Sequence, residues 1–337
     1  KAKPVNTFKA CQVTTLQFSN GLKNYLLEHN IEVNLDELSP EGWTLSDSKI
    51  QALLNKIKSK GVPLGNYVGG KIFYGIKTGY NEAFVIDKET RARLIAEDPK
   101  SAEVIKPFLA GREIKRYQTP VPEKFLILFP KGFTIKKNLP DTDPYFLAEP
   151  PPRYGAMPFD DAWEWIRSNY PAIASHLVSF RNQAMKRTDM GDYWWELRAC
   201  DYYDEFEQPK IIYPNICKKP EFTFDDSRSY TNQKCFIITK FTLSFLGILN
   251  SSLYFFLFKA ILPKLRGDFY EPSYVYFKDF PVIETESPEL ESLVENCLTI
   301  KKDHPSADTS ELERKIDELV NGLYGLTQEE IKMVEGK

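Results

Sequence analysis

Apolar residues recur with the period of a helix in some segments of this chain and form short runs in others. Between Ile50 and Ile57 they stand at i, i+3, i+4 and i+7, which predicts a helix with one buried face, capped by Ser46 or Asp47. The same period returns over 159–185 and throughout the C-terminal tail. These segments predict several packed helices.

The longest uncharged run, Phe241–Phe258, contains serine, threonine and asparagine. Such residues make a membrane crossing costly, so we interpret the run as buried helix. One helix is expected from Thr239, and a second begins at Asn250 or Ser251. In the tail, Thr327 with a glutamate three residues later is typical of a capping box.

Short apolar runs predict strands between the helices. The segments 71–76 and 83–86 flank a polar loop that contains Gly79 and Asn81, which is typical of a hairpin. A short helix is expected at Ser101–Leu109. Further strands are predicted at 125–129, 210–213 and 235–239.

Six prolines crowd between Pro140 and Pro158 and interrupt regular structure there. We therefore expect a subdomain boundary in this stretch. The elements together predict an α+β fold in which mixed sheets with hairpins pack with helices, followed by a helical C-terminal tail.

Cysteine usage excludes two common kinds of small domain. The five cysteines are far apart, no Cys-x-x-Cys pair occurs, and there are only three histidines. Neither a zinc module nor a disulfide framework is supported, and a reducing cytoplasm fits best.

The net charge of −3 conceals an uneven distribution along the chain. From Pro281 onward the tail holds 14 acidic and 6 basic residues, so the first 280 residues carry a net charge of +5. Within them, the segment 106–137 holds eight basic residues against Glu113 and Glu123. This excess suits contact with phosphates, although a solvated charged surface has the same composition.

A metal-dependent nuclease is one candidate chemistry. Glu113 and Lys115 form a Glu-x-Lys triplet, with Asp98 fifteen positions before Glu113. A pair of acids holds magnesium and a lysine polarises the attacking water in such enzymes. The alternative is structural: Glu113 pairs with Arg112 or Arg116, and Asp98 starts the next helix.

Other enzyme signatures are incomplete. The segment Gly70–Thr78 departs from a phosphate-binding loop because Ile76 separates the second glycine from the lysine. Methyl transfer to an exocyclic amine needs a glycine-rich loop for the methyl donor and an Asn/Asp-Pro-Pro-aromatic turn, and the sequence contains neither. The pair Trp194 and Trp195 could stack on bases, but such pairs more often fill a core.

Several segments taken together resemble a known family. Gly75–Asp87 (GIKTGYNEAFVID) and Ile105–Tyr117 (IKPFLAGREIKRY) are similar to blocks of the TaqI-like C-terminal specificity domain of gamma-class adenine methyltransferases and type IIG restriction-modification enzymes. Later blocks follow in the same order at Trp195–Arg198, Gln208–Pro214, Leu246–Ser251 and Phe277–Val282, and residues 316–326 resemble a closing helix. The resemblance covers residues 42–282 and part of the tail.

The resemblance implies a target-recognition domain that reads a short sequence in double-stranded DNA. It also implies a methyltransferase domain in the same polypeptide that binds S-adenosylmethionine and transfers the methyl group to adenine. The chain itself is then non-catalytic and holds no cofactor and no metal. Whether the parent protein also cuts DNA stays open.

The same resemblance divides the chain. Residues 1–41 are expected to be a linker from a catalytic domain that this sequence lacks. The sequence starts at Lys1-Ala2-Lys3-Pro4 without a leader, which is typical of an excised fragment. The recognition domain has a first part at 42–150 and a second part at 151–282, and the helical tail occupies 283–337.

Candidate DNA contacts follow from charge and from position in predicted loops. They lie in four places: a predicted hairpin tip, a helix end, the loop between two late strands and the segment after Pro263. The candidates are Lys77, Thr78, Asn81, Arg112, Lys115, Arg116, Lys218, Lys219, Arg228, Lys264 and Arg266. The block 75–81 has an alternative interpretation as a purely structural hairpin.

Three classes of function therefore remain: a DNA-recognition module, a metal-dependent nuclease and a protein-interaction scaffold. The nuclease predicts magnesium-dependent cutting that Glu113→Ala abolishes. The scaffold depends on whether the apolar stripe of the tail, from Leu312 to Leu323, packs on this chain or on another subunit.

Overall fold

The computed structural model of the protein describes residues 6–11, 13, 17–35, 48–138 and 157–336. Strands and helices are interspersed along these ranges. The strands are β1 (Thr7–Ala10), β2 (Ile31–Asn34), β3 (Val62–Pro63), β4 (Ile72–Tyr74), β5 (Val85–Asp87), β6 (Ile105–Leu109), β7 (Lys124–Ile127), β8 (Lys210–Pro214), β9 (Thr223–Asp225), β10 (Tyr230–Thr231), β11 (Cys235–Ile238), β12 (Lys264–Leu265), β13 (Phe269–Tyr270) and β14 (Pro281–Val282).

The helices range from single turns to sixteen residues. They are α1 (Leu22–Glu28), α2 (Ser48–Lys60), α3 (Leu64–Tyr67), α4 (Asn81–Phe84), α5 (Lys88–Glu97), α6 (Phe133–Asn138), α7 (Phe159–Asn169), α8 (Pro171–Val178), α9 (Arg181–Ala184), α10 (Leu243–Asn250), α11 (Ser252–Ile261), α12 (Tyr274–Phe277), α13 (Pro288–Asp303), α14 (Ser310–Leu323) and α15 (Gln328–Glu335). The predicted α+β class is confirmed.

Two four-stranded sheets organise the protein. The first has the strand order β4-β11-β8-β9 and is antiparallel throughout. The second has the order β10-β6-β7-β5, in which only the β10 and β6 pair is parallel. Strand pairs β1-β2, β3-β14 and β12-β13 form small two-stranded sheets.

The first sheet lies between two hydrophobic cores. Along β11, Phe236 and Ile238 belong to a core around α2, α10, α11 and α13–α15, which we call the helical core. Cys235 and Ile237 belong to a core around β5–β7, α7 and α8, which we call the mixed core. Successive side chains of a strand point to opposite faces, so β11 contributes to both cores and is buried along its whole length.

The uncharged run 241–258 forms buried helix, as predicted. Thr242 caps α10 by accepting a hydrogen bond from the backbone of Phe245, so the prediction that this helix begins at Thr239 was wrong. Ser251 caps α11, as predicted. In the described part of the chain no single helix is long and apolar enough to cross a membrane, although α10 and α11, bent by 55°, together reach that length and composition.

The predicted hairpin at 71–86 was wrong. Strand β4 pairs with β11, whereas β5 pairs with β7 in the other sheet, and α4 replaces the start of the second predicted strand. Strands β4 and β5 each pair with a buried strand that lies far away in the sequence. This pairing is favoured over a local hairpin because it places each strand against a core.

The helix predicted at Ser101–Leu109 was also wrong. A 3-10 helix spans Pro99–Glu103, and β6 follows it. Pro107 disfavours a helix here because it lacks the backbone N–H, while β6 gains burial between β7 and β10.

The C-terminal helices pack on this chain, which decides the question left open for the tail. Ile316 and Val320 of α14 are fully buried in the helical core. Gly247 of α10 lets α13 approach, since a Cβ there would stand 3.0 Å from Leu290 and Val294 side chains. The capping box of Thr327 is confirmed at the start of α15.

The predicted boundary at 150–151 and the predicted caps Ser46 and Asp47 lie outside the described residues. On either side of the gap, β7 and α7 belong to the same mixed core, where the Phe129 and Tyr170 rings lie 5.5 Å apart. Within 1–41, the described residues contain the β1-β2 sheet and α1.

Candidate nucleic-acid interface

A cleft of about 990 Å³ opens where three connecting segments meet. The segments are the turn after β6 (residues 110–112 and 115), the loop after β8 (214–221) and the turn between β10 and β11 (232–234). Phe255 of α11 and Phe269 of β13 complete the wall. The cleft therefore lies at an edge common to both sheets.

One backbone carbonyl joins the three segments. The carbonyl of Lys234 accepts a hydrogen bond of 2.8 Å from the backbone N–H of Asn215. A Cβ on Gly111 would stand 2.9 Å from the same oxygen, so the turn after β6 can approach only because that residue is glycine. Backbone contacts therefore set the position of the cations that line the cleft.

The cleft is strongly basic. Among its lining residues are five cations and one carboxylate: Arg112, Lys115, Lys218, Lys219, Lys234 and Glu221. Lys115 lies 3.4 Å from Glu221 and is partly neutralised. The other four cations are exposed and have no ion pair within the described residues. Unpaired cations gathered in one concave surface attract a polyanion.

The loop after β8 is tied to the β12-β13 hairpin. Backbone hydrogen bonds of 3.1 and 2.8 Å join Cys217 and Tyr270, and the Lys218 ammonium lies 5.1 Å from the centre of the Phe269 ring. The same hairpin carries the predicted residues Lys264 and Arg266, both exposed. A hydrogen bond of 2.8 Å to Asp268 raises the pKa of Lys264.

A smaller cavity of about 350 Å³ lies on the other side of the turn 232–234. Lys77, Arg198, Tyr74 and Gln233 are among its lining residues. Asp189 pairs with Lys77 at 2.8 Å and with Arg198 at 3.4 Å, and these contacts lower the pKa of Asp189. The two cations are thus partly neutralised, in contrast to those of the cleft.

Of the predicted residues near Lys77, Thr78 is held in the interior, whereas Asn81 is exposed. Thr78 is buried, and its hydroxyl donates a hydrogen bond of 2.6 Å to Asn81. Its carbonyl accepts one of 2.5 Å from the buried guanidinium of Arg187, whose pKa is lowered to about 10 by burial. Thr78 therefore does not lie at an exposed tip. For this residue the structure agrees with the interpretation of the block 75–81 as purely structural.

The remaining predicted contacts lie apart from the cleft. The Arg116 guanidinium pairs with Glu313 of α14 at 2.7 Å, with only 16% of the side chain exposed. Arg228 is exposed in the turn between β9 and β10, with φ of 56°. Lys234 and Arg198 line the two cavities but are not among the residues predicted from the sequence. The polar turn Asn232–Lys234 directly before the apolar strand β11 was the signal for the first.

A buried ion pair joins β8 to β9 and holds the turn that carries Arg228. Lys210 of β8 and Asp225 of β9 lie 2.7 Å apart, and both side chains are fully buried. Asp225 also accepts hydrogen bonds from the Ser229 backbone at 3.1 Å and the Ser227 hydroxyl at 2.5 Å. Burial lowers the pKa of Lys210, although the charge of Asp225 opposes the shift.

The two candidate nuclease acids make structural hydrogen bonds to the backbone and side chains around them. Asp98 accepts hydrogen bonds from Lys100 and Ser101 at the start of the 3-10 helix, as its structural interpretation predicts. Glu113 accepts one of 2.8 Å from the backbone of Ala110, not from the arginines that the structural interpretation named. In the sequence, strand β6 lies between the two acids. No cluster of three possible metal ligands occurs in the described residues.

The tryptophan pair belongs to the core. Trp194 and Trp195 are both buried in the mixed core and contact the Trp163 ring at 4.9 and 5.1 Å. The prediction that these residues fill a core is confirmed.

Residues 106–282 match the TaqI-like C-terminal specificity domain. The fold is similar to that of MmeI, a type IIL restriction-modification enzyme whose structure is in complex with DNA, with 13% identity, a TM-score of 0.53, and coverage of 79% of this chain and 35% of that one. The type IIG restriction endonuclease BpuSI matches with 11% identity and a TM-score of 0.44 over 88% of this chain and 35% of that one. No curated protein matches the sequence. The chain thus corresponds to about a third of the length of these two structures.

Proposed function

This chain belongs to the family of the TaqI-like C-terminal specificity domain, and on that premise we propose that it is a target-recognition module that binds double-stranded DNA. The observation that carries the proposal is the cleft, in which Arg112, Lys218, Lys219 and Lys234 are exposed without intramolecular ion pairs in the described residues.

Free cations in a shared cleft suit a phosphate backbone better than a small ligand. DNA carries one charge per ~1.7 Å of helix axis, and each phosphate that a cation neutralises releases bound counterions. This gain in entropy is independent of sequence, so the cleft supplies affinity and register, while base identity requires side chains that reach a groove.

We further propose that the module serves an adenine-specific DNA methyltransferase, with or without endonuclease activity, in a reducing cytoplasm. S-adenosylmethionine and the transfer chemistry belong to another domain of the same polypeptide in this proposal. A methyltransferase must extract its target base from the stack at a cost of a few kcal/mol, so a separate module that grips the duplex is expected. The restriction-modification enzyme with a similar fold supports this assignment.

A titration of duplex binding against salt tests the DNA-binding proposal. The triple variant Arg112→Ala, Lys218→Ala, Lys219→Ala removes three of the free cations. If each contacts one phosphate, the slope of log K against log salt falls by about 2.7, so wild type loses roughly 40-fold more affinity than the variant between about 50 and 200 mM salt.

The matched control removes three exposed lysines that line neither cavity: Lys58→Ala, Lys60→Ala, Lys302→Ala. The control changes net charge equally and should keep the wild-type slope. Equal slopes for all three proteins, or no binding by the wild type at low salt, would reject the proposal.

A further inference from the structure

The turn between β10 and β11 lies between the basic cleft and the smaller cavity. Asn232 and Lys234 line the cleft, whereas Gln233 lines the cavity. A duplex that contacts the cleft cations and continues towards Lys77 and Arg198 passes across this turn. The turn is therefore placed to enter a groove.

The backbone of this turn is held from both sides. The N–H of Asn232 donates to Leu109 at 3.0 Å, and the Asn232 side chain accepts from the N–H of Lys234 at 3.0 Å. On the opposite side, the N–H of Gly75 donates to the Cys235 carbonyl at 3.0 Å. A Cβ on Gly75 would stand 1.9 Å from the Asn232 carbonyl oxygen, so only glycine permits this approach.

A residue that reads a base must be positioned to within about 0.5 Å by a rigid support. The turn meets this requirement, because its backbone is fixed while its tip stays in solvent. Gln233 and Lys234 are both exposed, and Gln233 has no side-chain hydrogen bond in the described part of the chain. A rigid turn with a free amide at its tip can present that amide to a ligand.

We propose that Gln233 is a specificity-determining residue that reads an adenine in the major groove. A glutamine side chain pairs with adenine in a bidentate manner, accepting from N6 and donating to N7. Lys234 points to the same duplex from the cleft side and contributes charge. This inference rests on the proposed function, because it presumes that duplex DNA occupies the cleft.

The experiment is a selection from a pool of duplexes with a randomised central segment, carried out with the 337-residue chain, its Gln233→Ala variant and a control. The control is Gln183→Ala, which removes an exposed glutamine of α9 that lines neither cavity. Equal thermal unfolding midpoints for the three proteins establish that all of them fold.

Wild type and control should select a motif that contains an adenine, with about 5- to 150-fold discrimination at that position. For Gln233→Ala, preference at that one position falls to near onefold, while affinity for unselected duplex stays within about twofold of wild type. This result supports the assignment.

Four results overturn it: an unchanged motif for Gln233→Ala, loss of preference at a base pair without adenine, a uniform loss of affinity for every duplex, or a wild type that binds duplex without selecting a motif. None of these four results requires a change in the salt titration, which tests DNA binding separately. Failure of the inference is therefore distinguishable from failure of the proposed function. A wild type that binds no duplex overturns both.

Discussion

Asp225→Asn removes the negative charge that faces Lys210 in the interior. Both side chains are fully buried and lie 2.7 Å apart, so the variant leaves a buried ammonium without the carboxylate that lies against it. Asparagine keeps only one of the two side-chain oxygens, so it can accept from Ser227, which bonds Oδ1, or from Ser229, which bonds Oδ2 beside Lys210. The substitution therefore removes the charge together with one set of the carboxylate's hydrogen bonds to the turn.

The expected loss is about 3 to 5 kcal/mol of unfolding free energy, because breaking a buried pair uncovers the desolvation penalty of the remaining charge. This is a large part of the roughly 5 to 15 kcal/mol that stabilises a folded protein. The double variant Lys210→Met, Asp225→Asn removes both charges. It should lie within about 2 kcal/mol of wild type, which reflects the lost hydrogen bonds from Lys210 to the Phe206 and Gln208 carbonyls.

The effect also has a defined pH dependence. Burial already lowers the pKa of Lys210 from its ordinary 10.5, and loss of Asp225 lowers it further. Between the folded and the unfolded pKa, the unfolded chain binds more protons at this site, so stability rises with pH. The deficit of Asp225→Asn relative to wild type should therefore shrink as the pH rises from neutral towards 10.5.

Urea unfolding followed by tryptophan fluorescence measures these quantities, provided that the slope with urea is the same for all proteins. A loss below about 1 kcal/mol for Asp225→Asn, or a double variant as unstable as the sum of the single variants, would refute a buried charged pair. A deficit that is independent of pH would refute the assignment of the remaining charge to Lys210.

Three further outcomes are expected. Glu113→Ala removes the acceptor that shapes the turn after β6, so duplex affinity should fall in a filter-binding assay; magnesium-dependent cutting by the wild type that this variant abolishes would instead establish a nuclease. Gly75→Ala places a Cβ against the Asn232 carbonyl and should lower the unfolding midpoint sharply, whereas Gly322→Ala, in a helix with open space around it, should raise stability by about 0.5 to 1 kcal/mol. Arg116→Ala breaks a largely buried pair with the tail, so it should lower the unfolding free energy by about 1 to 3 kcal/mol and leave the salt slope of DNA binding unchanged; a reduced slope would place Arg116 on DNA.

Local sequence patterns correctly predicted the elements that depend on residues within the same segment. The capping box at Thr327 depends on a residue three positions away, and the predicted strands at 125–129 and 235–239 are buried enough to appear as apolar runs. The hairpin at 71–86 failed because β4 and β5 pair with strands that lie distant in the sequence, and local pattern holds no information about that choice.

The sequence by itself determined the α+β class, the family and the concentration of positive charge before the acidic tail. Only the tertiary structure decided which cations are free. Arg116 and Lys219 have similar charges in predicted loops, yet the first pairs with Glu313 nearly two hundred residues away and the second lies unpaired in the cleft. Electrostatic neutralisation depends on distances of a few ångströms between side chains, and those distances exist only after the helices and sheets have packed.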